Sequence, residues 1–289
     1  MESIEKNNQI SYEAKTLLTE KDEKIVKESL ETLLHKLSDI PNEKLPAIVA
    51  FLDTTARPMA YAVKPILKKI YRKAQINEPE IQFLTTYRNI DQDKTAAGYL
   101  FTETFFYEMA EGTLFEEALK KATDECLLMG DDEATLKSYS KQITDHYLTL
   151  MARINSLLES AKGSPILIFD DYISNMTSYR QIVGVSKALR VNPGQITFFS
   201  MYGMWSKEHL EKTAYPDVPI WIGSDAKGTK WSGFSYRSEP EKSKYLGVTK
   251  DSPNIAKRIS SEEMDSEKMK ELRQIFNNLG EEISQEIHK

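Results

Sequence analysis

Two short, wholly apolar runs constrain this chain more than anything else in it. Each is closed by acid and followed by an amphipathic segment. Residues 47–53 read AIVAFLD and residues 165–171 read PILIFDD. Runs this short, without alternation, fit strands buried on both faces rather than helices. Such strands belong to parallel sheets, whose crossovers lay helices over both faces. After the first run, Met59, Val63, Ile66, Leu67 and Ile70 recur at helical spacing, with Pro58 in the first turn of a helix expected over 58–71. After the second, Ile182, Val183, Val185, Ser186 and Leu189 mark a helix over 178–190. Further strands are expected at 81–85, at 196–200 (ITFFS) and within 217–222 (DVPIWI). The chain therefore predicts an α/β fold, a parallel sheet flanked by helices.

The 289 residues divide into five stretches. Residues 1–40 form an N-terminal helical segment, with Ile25, Leu30, Leu33, Leu34 and Leu37 on one face of a helix expected over 3–38. Residues 41–92 begin the α/β core. Residues 93–160 contain no strand pattern. Their periodic apolar positions predict three or four helices, broken near Gly112 and near Gly130-Asp131-Asp132. That is far more chain than the dozen or so residues a crossover needs, so it reads as a helical insertion. Residues 161–261 complete the core and end in an irregular stretch from 223 onward. Residues 262–289 are a C-terminal helix carrying Met269, Leu272, Ile275, Phe276 and Leu279.

Composition removes several classes of function. The net charge is −6, with 38 Lys and Arg against 44 Asp and Glu. Non-specific nucleic-acid binding needs a basic surface to displace counterions, so it is not expected. One cysteine, Cys126, allows neither an internal disulfide nor a Cys-based zinc site. It reads as a small apolar helix residue. His35, His146, His209 and His288 show no metal-ligand spacing, and no metal site is expected from them. No apolar run approaches the ~18 residues of a membrane span. A cytoplasmic protein with no membrane partner is the expectation, and a homodimer is compatible with it.

The chemistry concentrates in residues 166–178, ILIFDDYISNMTS. The strand is expected to end at Asp170 and a turn to run from 171 to 177. Asp170 and Asp171 are acceptors for the vicinal hydroxyls of a sugar. Ser174, Thr177 and Ser178 add hydroxyl donors to the unpaired N–H groups of a helix N-terminus, a natural anion site. Acceptors for a diol beside donors for a phosphate suit a ribose 5-phosphate. The plain structural alternative is a helix N-cap, where Asp, Ser and Asn are also favoured.

This stretch resembles the phosphoribosyl-pyrophosphate (PRPP) binding motif of type I phosphoribosyltransferases. Asp170 and Asp171 match the acidic pair, and Tyr172 and Ile173 the apolar pair that follows. Ser174 and Asn175 match two small polar positions, and Thr177 and Ser178 the closing hydroxylated ones. The resemblance implies that fold, with the acids on the ribose hydroxyls and residues 174–178 holding the 5-phosphate. It also implies an early loop for pyrophosphate. Asp53, Thr54, Thr55 and Arg57 occupy that place by position and chemistry. Asp170, Asp171 and Arg57 are then the candidate catalytic residues. PRPP carrying Mg²⁺ would lose pyrophosphate at C1, the phosphoribosyl group passing to a base. Tyr87, Arg88 and Lys94 are candidates to reach the site, and Trp231, Phe234 and Tyr236 to stack on a base.

Two alternatives stay open. One is a non-catalytic sensor of a nucleotide or sugar phosphate, with the helical insertion binding a partner. The other is a receiver-like phosphoacceptor domain using the acid pair. One position departs from the family pattern: its small residue, usually glycine, is Met176 here. A methionine is costly there if the backbone must take a positive φ.

Overall fold

The computed structural model describes residues 18, 20–52, 56–84, 96–173, 176–225, 248–252, 255–258 and 266–285, with side chains at 57, 58, 96 and 248–269 excepted. The elements run α1 (Glu20–Ser38), β1 (Ile48–Leu52), α2 (Arg57–Ala74), β2 (Glu80–Leu84), α3 (Ala96–Glu111), α4 (Phe115–Leu128), α5 (Glu133–Ala161), β3 (Ile166–Ile173), α6 (Thr177–Ala188), β4 (Ile196–Gly203), α7 (Lys207–Lys212), β5 (Ile220–Ile222), β6 (Val248–Ser252), β7 (Ile255–Arg258) and α8 (Ser266–Gln285). The first five strands form one sheet in the order β2-β1-β3-β4-β5. Every pairing in it is parallel. The expected α/β architecture is present, with the helical insertion as α3–α5 between β2 and β3.

Alternation in the strands sends residues to two separate cores. Ile48, Ala50, Leu52, Ile166, Ile168, Phe198, Ile220 and Ile222 face the insertion helices and α6. Val49, Phe51, Leu167, Phe169, Phe199 and Met201 face α1, α2 and α8. All five residues of β1 are buried, which explains its unbroken apolar run. The edge strand β2 is less covered, and Phe83 remains 46% exposed.

The helix boundaries follow their local chemistry. Gly112 and Gly130 break the insertion at φ +96° and +93°, conformations that glycine takes without steric cost. Asp132 caps α5, its Oδ1 accepting from the N–H of Thr135 at 2.9 Å. α2 begins with Arg57-Pro58, as the Pro58 signal implied. Cys126 is buried in α4, its Sγ near the carbonyl of Ala97 at 3.5 Å, and burial pushes its thiol up to about 11.

Several elements differ from the expected layout. β3 does not stop at Asp170 but continues through Asp171 and Tyr172 to Ile173, because β4 stays beside it as far as Gly203. Residues 171–173 of the turn expected over 171–177 are therefore strand. A short helix, α7, lies between β4 and β5, started by the Ser206 hydroxyl accepting from the N–H of His209. The stretch expected to be irregular contains the antiparallel pair β6–β7, which short polar strands hid from a search for apolar runs. The N-terminal part of the expected helix over 3–38, residues 3–17, lies outside the described residues.

Candidate functional site

In an open α/β sheet, ligands bind at the carboxyl ends of strands where the connections part to opposite faces. That point lies between β1 and β3. β1 is followed by α2, which crosses one face to β2, while β3 is followed by α6, which crosses the other to β4. The β1–β3 pairing ends at Phe51↔Phe169. Asp170 to Ile173 therefore run four residues past the last pair with β1. The two loops singled out in the sequence, 53–57 and 174–178, follow these two neighbouring strand ends. More than a hundred residues separate the two strand ends in the chain, and the parallel pairing of β1 with β3 puts both on the same side of the sheet.

Asp170 and Asp171 are 5% and 7% exposed. The backbone N–H of Asp171 donates to Asp170 Oδ1 at 2.9 Å, which fixes that carboxylate against its own strand. The side-chain alternation changes phase at this pair. Ile166 and Ile168 belong to the insertion-side core, and so does Ile173, while Leu167, Phe169 and Tyr172 pack with the other. The pairing with β4 is interrupted at the same place. Asp170 pairs with Ser200 and Tyr172 with Tyr202, with no pair between them. Ser200 is fully buried, and its hydroxyl donates to the Tyr202 carbonyl at 2.9 Å. The acids thus sit at a local irregularity of the sheet, a common place for a strand to re-aim side chains.

Met176 stands at the N-cap of α6 with φ +68° and ψ +2°, the left-handed conformation. A residue with a Cβ carries strain of about 1–2 kcal/mol in this conformation. Its side chain is 6% exposed and packs into the insertion-side core. Burying it contributes roughly 1.5–3 kcal/mol, enough to offset the strain. Methionine here joins the loop to the core, a role glycine does not have.

The first turn of α6 carries a contact that the sequence did not announce. Thr177 Oγ1 donates to Glu103 Oε1 of α3, and Arg180 Nη1 approaches Glu103 Oε2 at 3.4 Å. The Arg180 guanidinium also lies 5.2 Å from the centroid of the Tyr107 ring. Glu103 occurs in the aromatic stretch FTETFFYEM, and an acid on the inward side of such a helix is the one signal that marks it. Ser178 is half-buried beside this group.

Asp53, Thr54, Thr55, Ser174 and Asn175 lie outside the described residues, as do the side chain of Arg57 and the candidates Tyr87, Arg88, Lys94, Trp231, Phe234 and Tyr236. Among the described residues no group of three or more His, Cys, Asp or Glu gathers to hold a metal ion. No helix among them is long and apolar enough to cross a membrane. His146, next to Asp145 in α5, is a core residue. Its Nε2 meets Gln181 Oε1 at 3.1 Å, and the Phe106 ring stands edge-on to it.

The fold defines a doubly wound parallel α/β protein with its strand-end crevice between β1 and β3. No protein-family model, curated protein or solved structure matches the chain.

Proposed function

We propose that this chain binds a phosphoribosyl ligand, PRPP or a nucleotide bearing ribose 5-phosphate, in the crevice between β1 and β3. One observation carries the reading: the switch point of the sheet lies where both sequence-identified loops begin. Asp170 and Asp171 accept from the ribose 2- and 3-hydroxyls. Residues 174–178, including Met176, Thr177 and Ser178, hold the 5-phosphate at the N-terminus of α6. Thr54, Thr55 and Arg57 hold the pyrophosphate as α2 begins, with Asp53 preceding them at the strand end as an acceptor for substrate hydroxyls or a metal-bound water.

Mg²⁺ arrives with PRPP in this reading. It is usually held by one or two carboxylates together with substrate phosphates, so the acid pair suits it without a dedicated protein cage. When bound, it neutralises charge on the departing pyrophosphate. The chain's own residues orient the ribose and stabilise the leaving group electrostatically.

Titration calorimetry with PRPP and Mg²⁺ tests the pocket. Wild type is expected to bind, and Asp170→Asn/Asp171→Asn to lose at least tenfold in affinity, since each hydrogen bond to a charged group contributes about 1.5–3 kcal/mol. Absence of binding by wild type refutes the proposal. The buried, positive-φ Met176 favours a second form of it, in which the ligand is sensed rather than transferred. Pyrophosphate release across a panel of bases separates the two: release on any base establishes the transferase, and binding without release establishes the sensor.

A further inference from the structure

Among the described residues, one place exposes three consecutive large apolar side chains. Leu127, Leu128 and Met129, where α4 ends, are 42%, 88% and 74% exposed. A surface run of this kind marks an interaction site, because each side chain left in water forgoes the gain of burial. The run is not a frayed helix end. Cys126 beside it is buried, its Sγ near the Ala97 carbonyl of α3. The N–H groups of Met129, Gly130 and Asp131 donate to the carbonyls of Cys126, Leu127 and Cys126 at 3.1, 3.0 and 3.3 Å. Gly130 takes the positive φ that closes this turn. The tip is held in shape before any partner arrives, which lowers the entropy cost of docking.

The rim of the tip is acidic. Between residues 122 and 136 the sequence carries Asp124, Glu125, Asp131, Asp132 and Glu133 and no Lys or Arg. Two tips facing each other would bring like charges together, so the tip does not suit itself as a partner. The opposite chemistry lies on α2. That helix carries Arg57, Lys64, Lys68, Lys69, Arg72 and Lys73 and no acid. Tyr61, Lys64, Lys68 and Arg72 are exposed, and their spacings of three and four put them in one stripe. The Arg273 guanidinium of α8 lies 5.2 Å from the centroid of the Tyr61 ring and adds a further cation.

We infer that the insertion tip docks on the α2 stripe of a second copy of this chain. Leu127, Leu128 and Met129 cover Tyr61 and the apolar stems of Lys64 and Lys68, while the acids of the rim meet the cationic ends. The tip belongs to the core on one face of the sheet and α2 to the core on the other. The contact is therefore head-to-tail: a copy that docks its tip still offers its own stripe to the next. Assembly grows with concentration into a ring or an open chain. It is independent of the phosphoribosyl reading.

Sedimentation velocity of the full chain over a range of concentrations tests the inference. Wild type should rise above the mass of one chain as concentration increases, and rise less in high salt. Leu128→Ser/Met129→Ser removes the apolar tip, and Lys64→Glu/Lys68→Glu reverses the stripe. All four side chains are exposed, so both variants should keep the wild-type far-UV spectrum. Each alone should associate at least about tenfold more weakly than wild type. Mixed one to one, they should form dimers and go no further, since only one intact tip and one intact stripe remain to meet. Wild type that stays a single chain at every concentration overturns the inference and leaves the tip to a partner of another kind. So does a variant that associates as strongly as wild type, an association that salt does not weaken, or a mixture that gives no dimer.

Discussion

The two faces of the sheet are covered in different ways. On one, α3 to α7 come from a nearly continuous stretch, and their core is aromatic. Phe105 meets Phe106, Phe115 and Tyr147 edge-on, with centroids 5.0, 5.5 and 6.0 Å apart. On the other, the two ends of the described chain, α1 and α8, close around α2. Their core is mainly aliphatic, with Leu30, Leu33, Leu34 and Leu37 of α1 beside Leu272, Phe276 and Leu279 of α8. Cross-links there span most of the sequence. Lys27 Nζ donates to Glu282 Oε1 at 3.0 Å, and Lys69 Nζ donates to the Ser284 carbonyl. The insertion face forms from contacts between neighbouring segments. The terminal face requires the whole chain, and loop-closure entropy makes it the more costly to assemble.

The largest effect expected from a single substitution is at Gly280→Ala, on the terminal face. A Cβ there would lie 2.1 Å from the carbonyl oxygen of Ala62, so α8 and α2 must separate. The loss should reach the upper end of usual overpacking, about 3 kcal/mol, read as a lower urea midpoint. On the insertion face, Gly184→Ala meets Met109 Cβ at 2.8 Å, an atom held by the α3 backbone, and should cost less because the overlap is smaller than at Gly280, where the separation is 2.1 Å. If Gly184→Ala proves the more damaging, the insertion face is the more rigid of the two and the contrast is reversed.

Acid should act through the insertion face. His146 is 5% exposed, and burial lowers its imidazole from 6.5 to about 4. The unfolded chain binds the proton first as pH falls. Stability from the neutral ring is therefore complete above about pH 6.5 and lost on descending to about pH 4, roughly 2–3 kcal/mol in all. His146→Gln should flatten that part of the pH–stability curve. An unchanged slope in the variant would place the acid sensitivity elsewhere.

The smallest effects separate a local cap from a long-range ion pair. Asp132→Ala removes the α5 cap and should lower the midpoint modestly, with most of the loss persisting in high salt because the cap is a short hydrogen bond. Glu282→Gln breaks the exposed pair with Lys27, whose ammonium that pair holds above its ordinary value. It should cost less than about 1 kcal/mol, falling further in high salt. Denaturant midpoints at low and high salt check both. A larger, salt-resistant loss at Glu282 would mean that the pair organises the closure of the terminal face.

The strands of the sheet core were legible because burial on both faces leaves an unbroken apolar run, as in β1 and the first half of β3. Acids and hydroxyls cluster at the ends of those runs, which marks the two loops as candidates. The continuation of β3 through Asp171 and Tyr172 was not, since polar residues at a strand end look like a turn until β4 is placed beside them. β6 and β7 carry no apolar run. The pairing of Glu103 with Thr177 and Arg180 was not legible, because nothing near Glu103 in sequence announces partners more than seventy positions away.

From its residue pattern alone the chain settles its class, its helical insertion, and the two stretches where acids and hydroxyls follow a buried strand. Period and local composition suffice for these, since each depends on neighbouring residues. The strand order decides that β1 and β3 end side by side, and packing decides that Met176 is anchored in the core and that an acid from the insertion meets α6. Those relations join positions far apart in the chain, and only the closed fold makes them neighbours.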